Sequence, residues 1–242
     1  SARGQAIPGT QRDEVAVING ANVELTLDLD LQTYVQQTLE QAKANSLAKQ
    51  AQAVVLDVTK PADVNAAVDG LVKSSGAIDI LVNNAAFQMT HESITEITAE
   101  EFDRVFRTNV YATFYLCKAA LPLMQPGASI INTVSVEAYQ PDYFLVHYAS
   151  TKGALVAFTK GFAHEAIKRG VRVNAVAPGP IWTPLIPSTM PQEKVESFGK
   201  DVPLGRPGQP AELAGAYVLL ASDEASYITG AVIPVTGGTP ML

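Results

Sequence analysis

Residues 129–177, SIINTVSVEAYQPDYFLVHYASTKGALVAFTKGFAHEAIKRGVRVNAVA, decide the fold. Ser129–Asn132 and Val171–Ala177 are short runs rich in Val and Ile, without strict alternation of polar and apolar residues. Between them, Tyr148–Arg169 has the length and composition of a helix. A continuous apolar strand is one buried on both faces, and two such strands joined through a helix are parallel neighbours. One strand–helix–strand unit of this kind sets the pattern for the rest.

Moving outward, the same alternation recurs. Ala53–Leu56, Ile78–Val82 and Ala231–Val235 read as further strands. Ala62–Ser74, Thr98–Met124 and Glu212–Ala221 read as helices, the second opened by a Thr98-x-x-Glu101 capping pattern. Toward the N-terminus, Val15–Ile18 and Asn22–Leu27 are strand-like, Leu31–Asn45 has helical spacing, and residues 1–14 form a polar arm. The expectation is one doubly wound α/β domain over residues 15–242, a Rossmann-like parallel sheet with helices on both faces.

One connection breaks this pattern. Only Asn19, Gly20 and Ala21 separate Ile18 from Asn22, whereas a parallel crossover needs about a dozen residues or more. A helix is missing there, which predicts a break in the chain between Ile18 and Ala21.

Composition narrows the function. The net charge is −7, and no Lys/Arg cluster offers a nucleic-acid surface. No apolar stretch reaches membrane-spanning length and the first residues lack an apolar signal segment, so a cytoplasmic setting is expected. The single cysteine, Cys117, lies in an apolar helical pattern and reads as a buried structural thiol. The three histidines, His91, His147 and His164, show no metal-ligand spacing, so packing or surface roles are the default and no metal is expected.

The candidate chemistry gathers at the carboxyl ends of the strands, where open parallel sheets form their sites. Tyr148 and Lys152 stand one helical turn apart, so the ammonium can favour the phenolate of a tyrosine whose ordinary pKa is about 10. Ser135, thirteen residues before Tyr148, ends a strand and can bond a substrate oxygen or merely cap a turn. Asn109 either bends the long helix and holds a water near Lys152 or faces solvent. Asn83-Asn84-Ala85-Ala86 and the rigid Pro178–Pro184 loop follow two further strands, and Asp57-Val58 follows a third. Gln88, Glu137, Tyr139, Tyr143, Phe144, His147, Trp182 and residues 185–200 are expected to line the substrate pocket.

In order and spacing these pieces resemble the classical short-chain dehydrogenase/reductases, and among them the bacterial general-stress-type oxidoreductases. The resemblance covers about Val15 to Leu242 and rests on Asp57-Val58, Asn83–Ala86, Asn109, Ser135, Tyr148/Lys152, Pro178-Gly179 and Thr183-Pro184. It implies Tyr148 as general acid/base, with Lys152 lowering its pKa and holding the nicotinamide ribose. Ser135 then orients the carbonyl or hydroxyl, and Asn109 anchors a water-mediated proton relay. For the cofactor it implies Asp57 and Val58 at the adenine and Asn84 and Ala85 at the adenosine ribose. Pro178, Gly179, Ile181 and Thr183 would lie over the nicotinamide and pyrophosphate. The implied reaction is hydride transfer between NAD or NADP and a small alcohol or carbonyl compound, in a homotetramer. Asp28 and Asp30 tilt the cofactor toward NAD, since a carboxylate repels a 2′-phosphate.

The chain departs from that family at Ala86, where glycine is usual, and in lacking the glycine-rich phosphate loop after the first strand. About 15–20 residues are absent, matching the crossover that the parallel geometry demands. Two competing readings are a cofactor-free dehalogenase-like relative, against which Lys152 counts, and a binding protein that has lost the loop.

Overall fold

The computed structural model describes residues 56–241. The expectations for the 1–14 arm, Val15–Ile18, Asn22–Leu27, Asp28, Asp30, Leu31–Asn45, the break between Ile18 and Ala21, and residues 53–55 of the Ala53–Leu56 strand lie outside the described residues.

Helix α1 (Pro61–Ser75) leads to strand β1 (Ile80–Asn83). Next come α2 (Ala99–Phe106), a π-helical turn (Arg107–Tyr111) and α3 (Ala112–Ala120). Strand β2 (Ser129–Thr133), helix α4 (Val146–Ala166) and strand β3 (Arg172–Pro178) are the unit read first from the sequence. Two short helices, α5 (Leu185–Thr189) and α6 (Gln192–Ser197), precede α7 (Pro210–Ala221) and β4 (Val232–Val235). The described strands form one sheet in the order β1-β2-β3-β4, parallel throughout, with Asn83 beside Asn132 and Ile130 beside Val173.

Strand parity explains why the runs look continuously apolar. Ile130 and Val173 point into a core completed by Val64 and Val68 of α1, Cys117 of α3 and Ala163 of α4. Ile131 and Val176, one residue out of step, pack with Leu220 of α7 on the opposite face. Both faces are covered, so both parities must be apolar. Arg172 is a buried charged exception beside the buried polar Ser129, Asn132 and Asn174. Its guanidinium donates to the Leu220 carbonyl (2.8 Å) and the Ser222 carbonyl (3.1 Å), neutralising the carboxyl end of α7.

The predicted Thr98–Met124 helix is two α-helices with a π turn between them and a 3-10 turn at Leu121–Leu123. Thr98 caps it as expected, accepting from Glu101 N at 3.1 Å, but the Glu101 side chain turns away from the cap to two histidines.

Candidate active site

Because the four described strands run the same way, their carboxyl ends open on one edge, and a cavity of about 1080 Å³ lies there. It is bordered by Asn84 and Ala85 after β1, Ser135 after β2, Tyr148 and Lys152 on α4, and Pro178, Gly179, Ile181 and Thr183 after β3. Nine of the twelve residues singled out from the sequence therefore meet. Asp57 and Val58 are not among its lining residues, and Asn109 is buried behind it.

Lys152 is 1% exposed, and its Nζ donates to the Thr133 carbonyl at 2.8 Å. Burial drives its pKa down to about 8. The ammonium lies 5.4 Å from the centre of the Tyr148 ring. Burial also pushes the Tyr148 phenol up to about 12; the Ser135 hydroxyl pulls it back, and nearby Glu137 raises it further. In the free chain, then, removal from water outweighs any lowering of the phenol by Lys152. Ser135 accepts from Glu137 N at 3.2 Å, capping a 3-10 turn at Val136–Ala138, and still lines the cavity. Glu137, its Oε2 accepting from Asp142 N at 2.8 Å, is raised by burial to about 7.

Asn109 sits in the π turn, 1% exposed. Its Nδ2 donates to the Phe87 carbonyl (3.0 Å) and the Thr151 hydroxyl (3.0 Å), while its Oδ1 accepts from Phe87 N (2.7 Å). The side chain thus ties the loop after β1 to α4 one residue before Lys152. Gly179 is held by close packing: a Cβ there would come within 2.8 Å of the Thr236 backbone.

Of the expected pocket residues, Gln88, Glu137, Phe144 and part of the 185–200 segment line the cavity, but Tyr139, Tyr143, His147 and Trp182 do not. Tyr143 is 66% exposed, Trp182 packs toward Phe198, and His147 is fully buried facing Glu101. Sequence reasoning missed Thr133, whose hydroxyl donates to Asn84 Oδ1 at 3.0 Å and lies 2.6 Å from the Tyr217 hydroxyl. It also missed Asp201, Val202 and Leu213 on the cavity wall, which no local motif marks.

A parallel sheet with a buried Lys, a Tyr one helical turn before it and a Ser at the preceding strand end defines a Rossmann-like, dehydrogenase-type class. Comparison with known proteins narrows this. A family model described as enoyl-(acyl carrier protein) reductase matches residues 20–240. General stress protein 39 of Bacillus subtilis is 54% identical over 182 residues, covering 75% of this chain and 64% of that protein. Glucose and ribitol dehydrogenase of Daucus carota is 46% identical over 200 residues, covering 83% of this chain and 68% of that protein. Among solved structures, 3-ketoacyl-(acyl-carrier-protein) reductase from Brucella melitensis complexed with NADH superposes with a TM-score of 0.72. It is 33% identical, with 84% of this chain and 83% of that one covered. A blue fluorescent protein from a metagenomic library in complex with NADPH gives 0.77 at 30% identity, covering 86% and 83%. The chain belongs to the short-chain dehydrogenase/reductase family. It spans 57–64% of the length of the Bacillus subtilis relatives it matches.

Proposed function

We propose that the protein is an NAD(P)-dependent oxidoreductase that interconverts an alcohol and an aldehyde or ketone, with Tyr148 as general acid/base. The observation that carries this reading is the meeting of Ser135, Tyr148 and Lys152 in one cavity at the carboxyl edge of a parallel sheet. The residues fit a nicotinamide cofactor. Lys152 uses one N–H on the Thr133 carbonyl, which leaves two donors of a buried ammonium for the hydroxyls of a ribose. When bound, the cofactor supplies or accepts the hydride.

The chain's own part is proton handling and orientation. With its pKa near 12, the Tyr148 phenol is protonated at neutral pH, the form needed to deliver a proton to a carbonyl oxygen. Ser135 Oγ accepts from Glu137 N, so its own O–H is available to donate to that same oxygen. Asn109 has its side chain committed to Phe87 and Thr151, so its place in a proton relay rests on the backbone carbonyl of the π turn. We assign Asn84 and Ala85 to the adenosine ribose, and Pro178, Gly179, Ile181 and Thr183 to the nicotinamide and pyrophosphate. Asp57 and Val58, beyond the cavity wall, go to the adenine. Glu137, Gln88 and Lys194 on the wall suit a substrate carrying further hydroxyls, as the name of the carrot relative suggests.

Titrating the full chain with NADH and with NADPH, followed by cofactor fluorescence, tests this reading. Saturable binding of at least one is expected. Tyr148→Phe should keep that binding and lower turnover about a hundredfold or more. A full chain that binds neither cofactor, or a Tyr148→Phe variant with undiminished turnover, rejects the proposal.

A further inference from the structure

Outside the cavity, three segments deliver one side chain each to a common point. His91 comes from the loop after β1, Glu101 from the first turn of α2, and His147 from the first turn of α4. Glu101 Oε1 lies 2.6 Å from His91 Nε2 and 3.0 Å from His147 Nε2. All three ligand atoms fall within 4.8 Å of one another. None of the three residues lines the cavity around Tyr148.

Two imidazoles and one carboxylate form a donor set that first-row divalent ions of the zinc type take, with a fourth position left for water. Zinc bonds of about 2.0–2.1 Å to tetrahedrally placed ligands put the ligand atoms roughly 3.3 Å apart. The two carboxylate–imidazole spacings, 2.6 and 3.0 Å, are tighter than this, so a cation needs a withdrawal of the Glu101 carboxylate, whose side chain is 23% exposed. The charge is also suitable, because one carboxylate faces two imidazoles. On the outer side, His91 Nδ1 lies 3.8 Å from a Glu96 carboxylate oxygen, a charge neighbour beyond hydrogen-bond distance. Without a cation, both rings must aim an Nε2–H at the single oxygen Glu101 Oε1; His147 Nδ1 is buried without a partner in either case.

We propose that His91, Glu101 and His147 bind a divalent transition-metal cation of the zinc type, which fastens the loop after β1 and the start of α2 to the helix turn that carries Tyr148. This site is independent of the oxidoreductase reading, and its test reads metal, not turnover.

The full chain, stripped with a chelator and desalted, is titrated with Co²⁺ and then Zn²⁺. One equivalent of Co²⁺ should develop the intense visible bands of a four- or five-coordinate ion, Zn²⁺ should bleach them, and Zn²⁺ should raise the Tm. His91→Asn and Glu101→Gln, both at partly exposed positions and checked for fold by circular dichroism, should weaken Co²⁺ binding on the order of a hundredfold. Imidazole ¹⁵N spectra test the site without any substitution, since Zn²⁺ must shift the Nε2 signals of two of the three histidines. Only the pale spectrum of hydrated Co²⁺, binding undiminished in both variants, or unmoved imidazole signals would overturn the site.

Discussion

Lys152 is a cation held almost wholly out of water with one carbonyl for company, an arrangement that opposes folding. Its pKa of about 8, against an ordinary 10.5, sets the sign. Between those values the unfolded chain binds more protons, so stability rises with pH across that window and the full penalty applies below it. Lys152→Met, similar in length and uncharged, should therefore stabilise the protein at pH 7 by about 1–3 kcal/mol while abolishing turnover. Denaturant melts of both proteins at pH 7 and near 10 check this. The gain should shrink at the higher pH, and a destabilised variant at pH 7 refutes it. That Tyr148, Lys152 and Ser135 come together was readable from the sequence because a helix turn and a strand end impose their spacing. The His91–Glu101–His147 cluster was not. Its members lie 10 and 46 positions apart and meet only through the packing of a loop on two helices.

At the scale of elements, the π turn at Arg107–Tyr111 is the clearest case of one residue shaping a helix. Asn109 satisfies both backbone groups of Phe87 and the Thr151 hydroxyl, holding α2–α3, the β1 loop and α4 together. Asn109→Ala removes one buried and two part-buried hydrogen bonds and leaves Phe87 N–H and C=O without those partners. The expected cost is about 2–4 kcal/mol. Thermal unfolding measures it, and a loss below about 0.5 kcal/mol would show that Asn109 does not tie these elements. The sequence left a bend and a solvent-facing side chain both open at this residue, and its partners unread, because a backbone contact 22 positions away leaves no local pattern. Strands β1–β4 and helices α1, α4 and α7 were legible within a few residues, β2 and β3 most directly because two-sided burial dictates their apolar content. Helices α5 and α6 were not, at five and six residues too short to show a period.

For the molecule as a whole, the parallel order brings residues from 84 to 239 to a single edge, which is why scattered motifs could be gathered into one site from their positions after strands. The surface carries a second message. Phe102, Tyr111 and Phe114, between the start of α2 and α3, are 44%, 40% and 46% exposed. Exposed aromatics of this kind favour self-association, and sedimentation at micromolar concentration is expected to give the homotetramer that the family resemblance implies. A monomer at that concentration would rule this out.

The stretch between Ile181 and Gly208 is fastened at its base. Trp182 N donates to the Gly208 carbonyl at 2.8 Å and Gly208 N to the Pro180 carbonyl at 2.9 Å. Everything strung between those two points, including the wall residues Met190, Lys194 and Phe198, is a cassette with a clasp. Exchanging its contents for those of a relative, with the ties from Thr189 to Gln88 and Thr90 retained, is expected to change the wall while the sheet and the Ser135/Tyr148/Lys152 group keep their places.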